Sequence, residues 1–291
     1  MSGESAFIES LRALAAHPAA RGLSDDAAVL EVGGESIVLT HDMLVEGVHY
    51  LAGADMADVA WKLVASNLSD LAAKGAEPLG VILGFMLGPD EDRFVEGLKE
   101  VLAHYNVPLL GGDTSSGGPP RCFGLTAIGR ATHTPVPSRA GAQPGDALYI
   151  TGPVGAAMLG FNALRNRTGE DATAFKRPHA QLAEGRALAP VATAMMDISD
   201  GLLLDAARMA RASGVTMAVK RRAVPIAAPE EQRELALRWG EDYVLLFTVP
   251  ASTKLPVPAH RIGTVQASTG APILLDGMPL SEGDGLGYEH Q

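Results

Sequence analysis

Six aspartates share one local setting along this 291-residue chain, each at the end of an apolar run or in a tight turn beside small residues. They are Asp26 in SDDAAVL, Asp42 in THDML, Asp70 in NLSDLAAKG, Asp113 in GGDTSSG, and Asp197 and Asp200 in DISDG. Grouped carboxylates suit hard divalent cations such as magnesium, which share their oxygens with water and phosphate. Without a cation between them, neighbouring carboxylates repel. Taken singly, each has a plainer reading. Asp25–Asp26 suits a solvated turn or cap, Asp70 a surface position on a helix, and GGDT a capped glycine turn. DISDG is more specific, because Ser199 or Asp200 can cap a helix beginning at Leu202, and the free N–H groups of such a helix start suit a phosphate. Together the six favour metal–phosphate chemistry.

The bulk composition is compatible with that chemistry and excludes others. A formal charge of -11 leaves nothing to drive counterion release from nucleic acid or attraction to an anionic membrane. Hydrophobic residues make up 47% and charged residues 20%, enough for a well-filled interior in one large or two medium domains. A single cysteine, Cys122, rules out an internal disulfide and a cysteine-based zinc site. There is no G-x-x-x-x-G-K-[ST] loop, no G-x-G-x-x-G after a strand, no G-x-S-x-G elbow and no H-E-x-x-H pair. TGPVG reads as a structural turn. The opening MSGESAFIESLRALAAH reads as an amphipathic helix rather than a signal peptide, and the longest apolar run, PLGVILGFMLGP, is too short to span a bilayer. A soluble, cytoplasmic protein is expected.

The elements that must position these residues follow from periodicity. SIVLTHDMLVEG reads as a strand, and DMADVAWKLVASNLSDLAAKGA as a helix closed by Gly75. LGVILGFML is a buried strand, and DEDRFVEGLKEVLAHYN a second amphipathic helix with acidic residues in its first turn. VPLLGGDTSSGGPP reads as a short strand running into a glycine-rich turn, and CFGLTAIGRA as another strand. THTPVPSRAGAQPGD concentrates Pro and Gly and marks a junction, dividing the chain into residues 1–137 and 138–291. Beyond it, ALYITGPVGAAMLGFNAL and ATAMMDISDGLLLDAARMARASG each read as strand, turn and helix. VTMAV, YVLLFTVP and HRIGTV are further strands. The irregular alternation predicts an α+β fold of packed layers, with two α/β domains.

Read in order, SDDAAVL, THDMLVEGVHY, NLSDLAAKGAEPLG, LLGGDTSSG, SRAGAQPGD, MDISDGLLLD and GEDYVLLF resemble the thiamine-monophosphate kinases of the aminoimidazole ribonucleotide synthetase superfamily. The resemblance runs from about Ser24 to the closing GYEH. It implies an N-terminal α/β domain with a mixed sheet that pairs with a second subunit, and a C-terminal α/β sandwich domain. ATP would bind in the cleft between the domains and across the homodimer. It also implies direct in-line transfer of the γ-phosphoryl group of ATP to thiamine monophosphate, assisted by several magnesium ions.

Carried over by position, Asp26, Asp42, Asp70, Asp113, Asp197 and Asp200 match metal-binding aspartates, with Asp42, Asp70, Asp113 and Asp200 at the chemistry. Thr40 and His41 match ligands just before Asp42. Gly112, Asp113, Arg139 and Ser199 match positions that contact ATP, and His49, Glu241 and Tyr288 positions that hold the thiamine substrate. An arginine there suits phosphate oxygens, and an aromatic ring suits a cationic heterocycle. The chain departs from the family pattern at Ser24, at His41, at Trp239 in WGED and at Val244. The C-terminal part also reads as compressed. Other superfamily enzymes are less suitable: no reactive cysteine stands near the start as in selenophosphate synthetases, nor at the end as in hydrogenase maturation members. An amidine-forming purine enzyme fits LVEGVHY and GEDY less well. A non-catalytic nucleotide- or thiamine-phosphate-binding protein would have no use for six repelling carboxylates.

Overall fold

A computed structural model describes residues 3–289. Helix α1 (Gly3–Arg12) precedes a five-stranded sheet built from β1 (Ala28–Val32), β2 (Glu35–Val45), β3 (Ala76–Leu87), β4 (Leu109–Ser116) and β5 (Cys122–Ala131), in the order β1-β2-β5-β3-β4. All its pairings are antiparallel except β3 with β4. Helices α2 (Met56–Ala73) and α3 (Glu91–Tyr105) connect these strands.

A second, seven-stranded sheet has the order β12-β11-β8-β10-β6-β9-β7. Its strands are β6 (Asp146–Ile150), β7 (Ala194–Asp197), β8 (Val215–Val219), β9 (Leu245–Pro250), β10 (His260–Ala267), β11 (Ile273–Leu275) and β12 (Met278–Leu280). Only β8 with β11 runs parallel. The helices of this half are α4 (Ala156–Asn166), α5 (Thr173–Lys176), α6 (Leu182–Leu188), α7 (Leu202–Ser213) and α8 (Arg233–Ala236). The expected α+β arrangement with two mixed, open sheets is what the chain forms.

Helix α2 ties the halves together. Asp55 caps it by accepting from the N–H of Ala57, and Gly75, at φ +59°, lets the chain turn away after Lys74. Nearly every residue of α2 is buried, as expected of a helix apolar around most of its circumference. Val59, Leu63, Leu68 and Leu71 share one core with Met195, Leu245 and Phe247 of the second sheet. Each buried leucine there stabilises the fold by about 2 kcal/mol. The opposite face of the second sheet packs against α7, where Leu203, Ala207 and Met209 meet Leu148, Leu246 and Ile262.

Two local expectations change. The run GGDTSS continues β4 rather than turning, since Gly111 to Ser116 pair with Ile82 to Leu87. Gly112 permits that pairing: a Cβ there would lie 2.1 Å from the carbonyl oxygen of Leu83. The start of α7 is not capped by Ser199 or Asp200. Its N-cap is Gly201, and the carboxylate of Asp205 instead accepts from the N–H groups of Ser199 and Asp200, at 3.1 and 3.0 Å. A carboxylate inside the helix thus shapes the turn in front of it. No helix among the described residues is long and apolar enough to cross a membrane.

Candidate active site

A cleft of about 1200 Å³ opens where the two sheets and α2 converge. Asp26, Asp42, Asp70, Asp197 and Asp200 all line it. They arrive from separate elements: the turn before β1, the middle of β2, the last turn of α2, the end of β7 and the loop into α7. One carboxylate oxygen from each of Asp26, Asp70 and Asp197 lies within 4.8 Å of the other two, a spacing that suits a shared cation.

The partners of these groups divide the cluster. Asp70 accepts from the hydroxyl of Thr40, and Asp197 accepts from the hydroxyl of Ser69 at 2.6 Å. Neither hydroxyl brings charge. Burial raises the carboxyl of Asp197 to about 8, with nearby Asp26 adding to the shift. Burial and then Asp200 push Asp42 up to about 6, and Asp70 is driven well above the ordinary range by burial, Asp42 and Asp197. Carboxylates held this way are short of positive charge.

Asp25 and Asp26 are instead surrounded by cations. Nζ of Lys74 lies 2.5 Å from Oδ1 of Asp25 and 2.5 Å from Oδ2 of Asp26. Arg139 places Nε and Nη2 each 2.6 Å from Oδ1 of Asp26, and Arg21 meets Oδ2 of Asp25 at 2.6 Å. Burial alone would raise Asp25, but Lys74 and Arg21 hold it well below the usual range. Asp25 also accepts from the N–H of Asp26, so it shapes the turn, while Asp26 faces the cluster. Oδ2 of Asp26 is buried against the Lys74 ammonium, whereas Asp70 and Asp197, each with an oxygen within 4.8 Å of one on Asp26, have hydroxyl partners and, among the described residues, no cation, a deficit a metal ion would fill. The residues therefore fit a divalent cation.

The opposite end of the cleft is apolar and aromatic. Trp239 packs on Phe161 at 5.1 Å between ring centres, and Phe161 meets Phe175 edge-on at 5.4 Å. Glu241 stands here at φ +65°, a backbone state that strains a non-glycine residue, and pairs with Lys62 at 2.6 Å. Lys62 also donates to the carbonyl of His49 and lies over the Phe175 ring at 3.6 Å. The ring of His49 accepts from the N–H of Val45, and the main chain of Tyr288 donates to the carbonyl of Asp200. His49, Glu241 and Tyr288 all line the cleft.

Residues 24–131 match the family described as AIR synthase related protein, N-terminal domain, and residues 143–271 match its C-terminal domain. The chain is 36% identical over 304 residues to the thiamine-monophosphate kinase of Salmonella typhimurium, covering 92% of this chain and 91% of that one. It is 38% identical over 253 residues to that of Caulobacter vibrioides, covering 80% and 72%. The chain belongs to the thiamine-monophosphate kinase family. Its fold superposes on the solved AaThiL complexed with AMPPCP and TMP with a TM-score of 0.87, at 28% identity and covering 96% and 95% of the two chains.

Within this family member, three expected site residues stand apart from the cluster. Thr40 and Asp42 share the inward face of β2, whereas His41 points the other way, with Nδ1 2.9 Å from Oγ1 of Thr126. It still lines the cleft and, against the raising effect of burial and Asp200, pulls the Asp42 carboxyl downwards. Asp113 pairs in register with Gly84, which pairs with Gly124 and hence aligns with Met43, all on the outward face. Gly112 and Asp113 do not line the cleft of the single chain.

The structure also brings in residues the sequence reading passed over. Lys62 and Ser69 lie on α2, Lys74 caps its C-terminal end, and Asp205 and Arg208 lie on α7. Arg208 pairs with both Asp200 and Asp205. A signal existed: Lys62, Ser66, Asp70 and Lys74 recur every four residues along a mostly apolar helix and its C-cap.

Proposed function

We propose that this protein phosphorylates thiamine monophosphate to thiamine diphosphate, taking the γ-phosphoryl group of ATP by direct in-line transfer with magnesium. The observation that carries this reading is the convergence of Asp26, Asp42, Asp70, Asp197 and Asp200 on one cleft that is aromatic at its other end. Phosphoryl transfer asks a protein mainly to position two anions and neutralise their charge. Bound magnesium would be held by Asp26, Asp42, Asp70 and Asp197 and would draw charge from the phosphate oxygens.

The chain's own residues do the rest. Arg139, Arg208 and Arg211 line the cleft and set positive charge beside the incoming phosphates. The Ser199–Asp200 turn, fixed by Asp205, presents the uncapped start of α7 in the same direction. Phe161, Phe175 and Trp239 form an apolar wall for a flat heterocycle, and Glu241 supplies negative charge to a cationic one. Holding donor and acceptor together in this cleft makes a covalent phosphoenzyme unnecessary.

The active unit is a homodimer. The outward face of the first sheet exposes Met43 (51%) and Ile82 (41%) beside Asp113, an apolar surface suited to the same face of a second copy. Asp113 would then serve the partner's cleft. The domains divide near residue 137, and the reaction takes place in the cytoplasm. Incubating the protein with ATP and thiamine monophosphate, with and without magnesium, tests the central reading. Thiamine diphosphate formed only with the metal is expected; magnesium-dependent ATP binding without product would assign the cleft to another acceptor.

A further inference from the structure

Lys74 is the feature of the cleft that this reaction scheme does not use. It follows the last turn of α2, its side chain is 0% exposed, and its ammonium lies 2.5 Å from both Asp25 and Asp26. It also donates to the carbonyl of Met195, two residues before Asp197. A lysine is rarely buried so completely without a task for its charge. The pair Asp25–Asp26 therefore meets three protein cations, Lys74, Arg139 and Arg21. Asp70 and Asp197, each with a carboxylate oxygen within 4.8 Å of one on Asp26, accept from the hydroxyls of Thr40 and Ser69.

We propose that Lys74 is a resident cation of the metal cluster, a positioning residue that occupies Asp26 from the side of Asp25 and so limits how many divalent ions the carboxylates take up. The inference rests on the metal-assisted reading given above. Without the ammonium, Asp25 and Asp26 would be available to hold a further divalent ion; with it they are occupied. Uptake is thereby directed to the side of Asp42, Asp70 and Asp197, whose charge the protein leaves uncompensated. Fixing one positive charge in the fold leaves one place fewer for a solution cation, which reduces the number of metal ions needed to assemble the site.

The test measures Mn²⁺ uptake by the full-length protein without nucleotide or thiamine monophosphate, using electron paramagnetic resonance of the free ion. Lys74→Met removes the charge at similar volume, and Lys74→Gln removes it while keeping a donor for Asp25. Thermal melts confirm that the variants are folded. The expected result is one more Mn²⁺ per chain in either variant, or at least tenfold tighter binding of the same number. A purely structural lysine would leave uptake unchanged or lower it on removal. Equal or weaker uptake in a folded variant overturns the proposal alone. A wild-type protein that takes up no Mn²⁺ overturns the metal reading and the proposal with it.

Discussion

Lys62 of α2 and Glu241 of the loop into β9 meet at 2.6 Å, with the lysine 2% exposed and the glutamate still open to the cleft. The pair joins the helix of one half to the loop before β9 in the other. Burial raises the Glu241 carboxyl, and Lys62 pulls it back. Lys62→Met leaves that carboxylate without its cation and is expected to cost about 3 kcal/mol of stability in urea unfolding. Adding Glu241→Gln should recover most of the loss. A single variant as stable as wild type would show the pair to be dispensable.

Glu241→Gln by itself acts on the acceptor. The KM for thiamine monophosphate is expected to rise roughly tenfold or more, since a charge contact to a cationic ring is lost, while the affinity for ATP stays the same. A fall in ATP affinity instead would move Glu241 to the nucleotide end of the cleft.

Asp42→Asn should separate stability from activity. It removes a carboxylate whose charge burial, Asp200 and Asp26 all oppose, so the metal-free protein should melt higher. Turnover at saturating magnesium should fall by a factor on the order of 10³. A melting temperature below that of wild type would mean that Asp42 makes a structural contact the charge argument overlooks.

The metal-free protein should lose stability as pH rises. Asp42, Asp197 and Asp242 are raised to about 6, 8 and 7, so between about pH 4 and pH 8 the folded chain keeps protons the unfolded chain has released. Stability falls across that window and levels off above it. Asp25, held low, acts in the opposite sense and only under more acidic conditions. Melting curves at pH 5 and pH 8 read the slope directly. Added magnesium should flatten it, by supplying at high pH the charge that protons supply at low pH.

Mixing two inactive variants tests whether Asp113 acts across the dimer. An Asp113→Ala chain and an Asp42→Ala chain, unfolded and refolded together, form mixed dimers with one fully native site if Asp113 serves its partner. About a quarter of wild-type activity should return. No recovery, with mixed dimers present by mass, would place Asp113 in its own chain's cleft or outside the chemistry.

Much of this arrangement was legible in the residues, for identifiable reasons. The period of β2 and the apolar wrap of α2 announce themselves, because burial on one face or all round leaves a repeating pattern. Five of the six singled-out aspartates line one cleft, although they come from a turn, a strand, a helix and a loop. β4 extends beyond its apolar residues because glycines that permit close strand approach look the same in sequence as glycines that turn a chain. Asp205 was overlooked because a carboxylate reaching backwards from inside a helix has no spacing signature of its own. Lys62 and Lys74 were passed over because a helical lysine ordinarily faces water, and only the partners brought by distant segments reveal otherwise.

The burial of α2 also has a consequence for how the chain is made. When the first half has left the ribosome, Leu63, Leu68 and Leu71 still lack Met195, Leu245 and Phe247, which are synthesised later. Until β9 arrives, α2 has β2, β5 and α3 of the first half to pack on, but the face that later meets the second sheet is open and no carboxylate at Glu241 meets Lys62. During that interval the chain is expected to expose the apolar face that the second sheet later covers, the kind of surface that molecular chaperones shield.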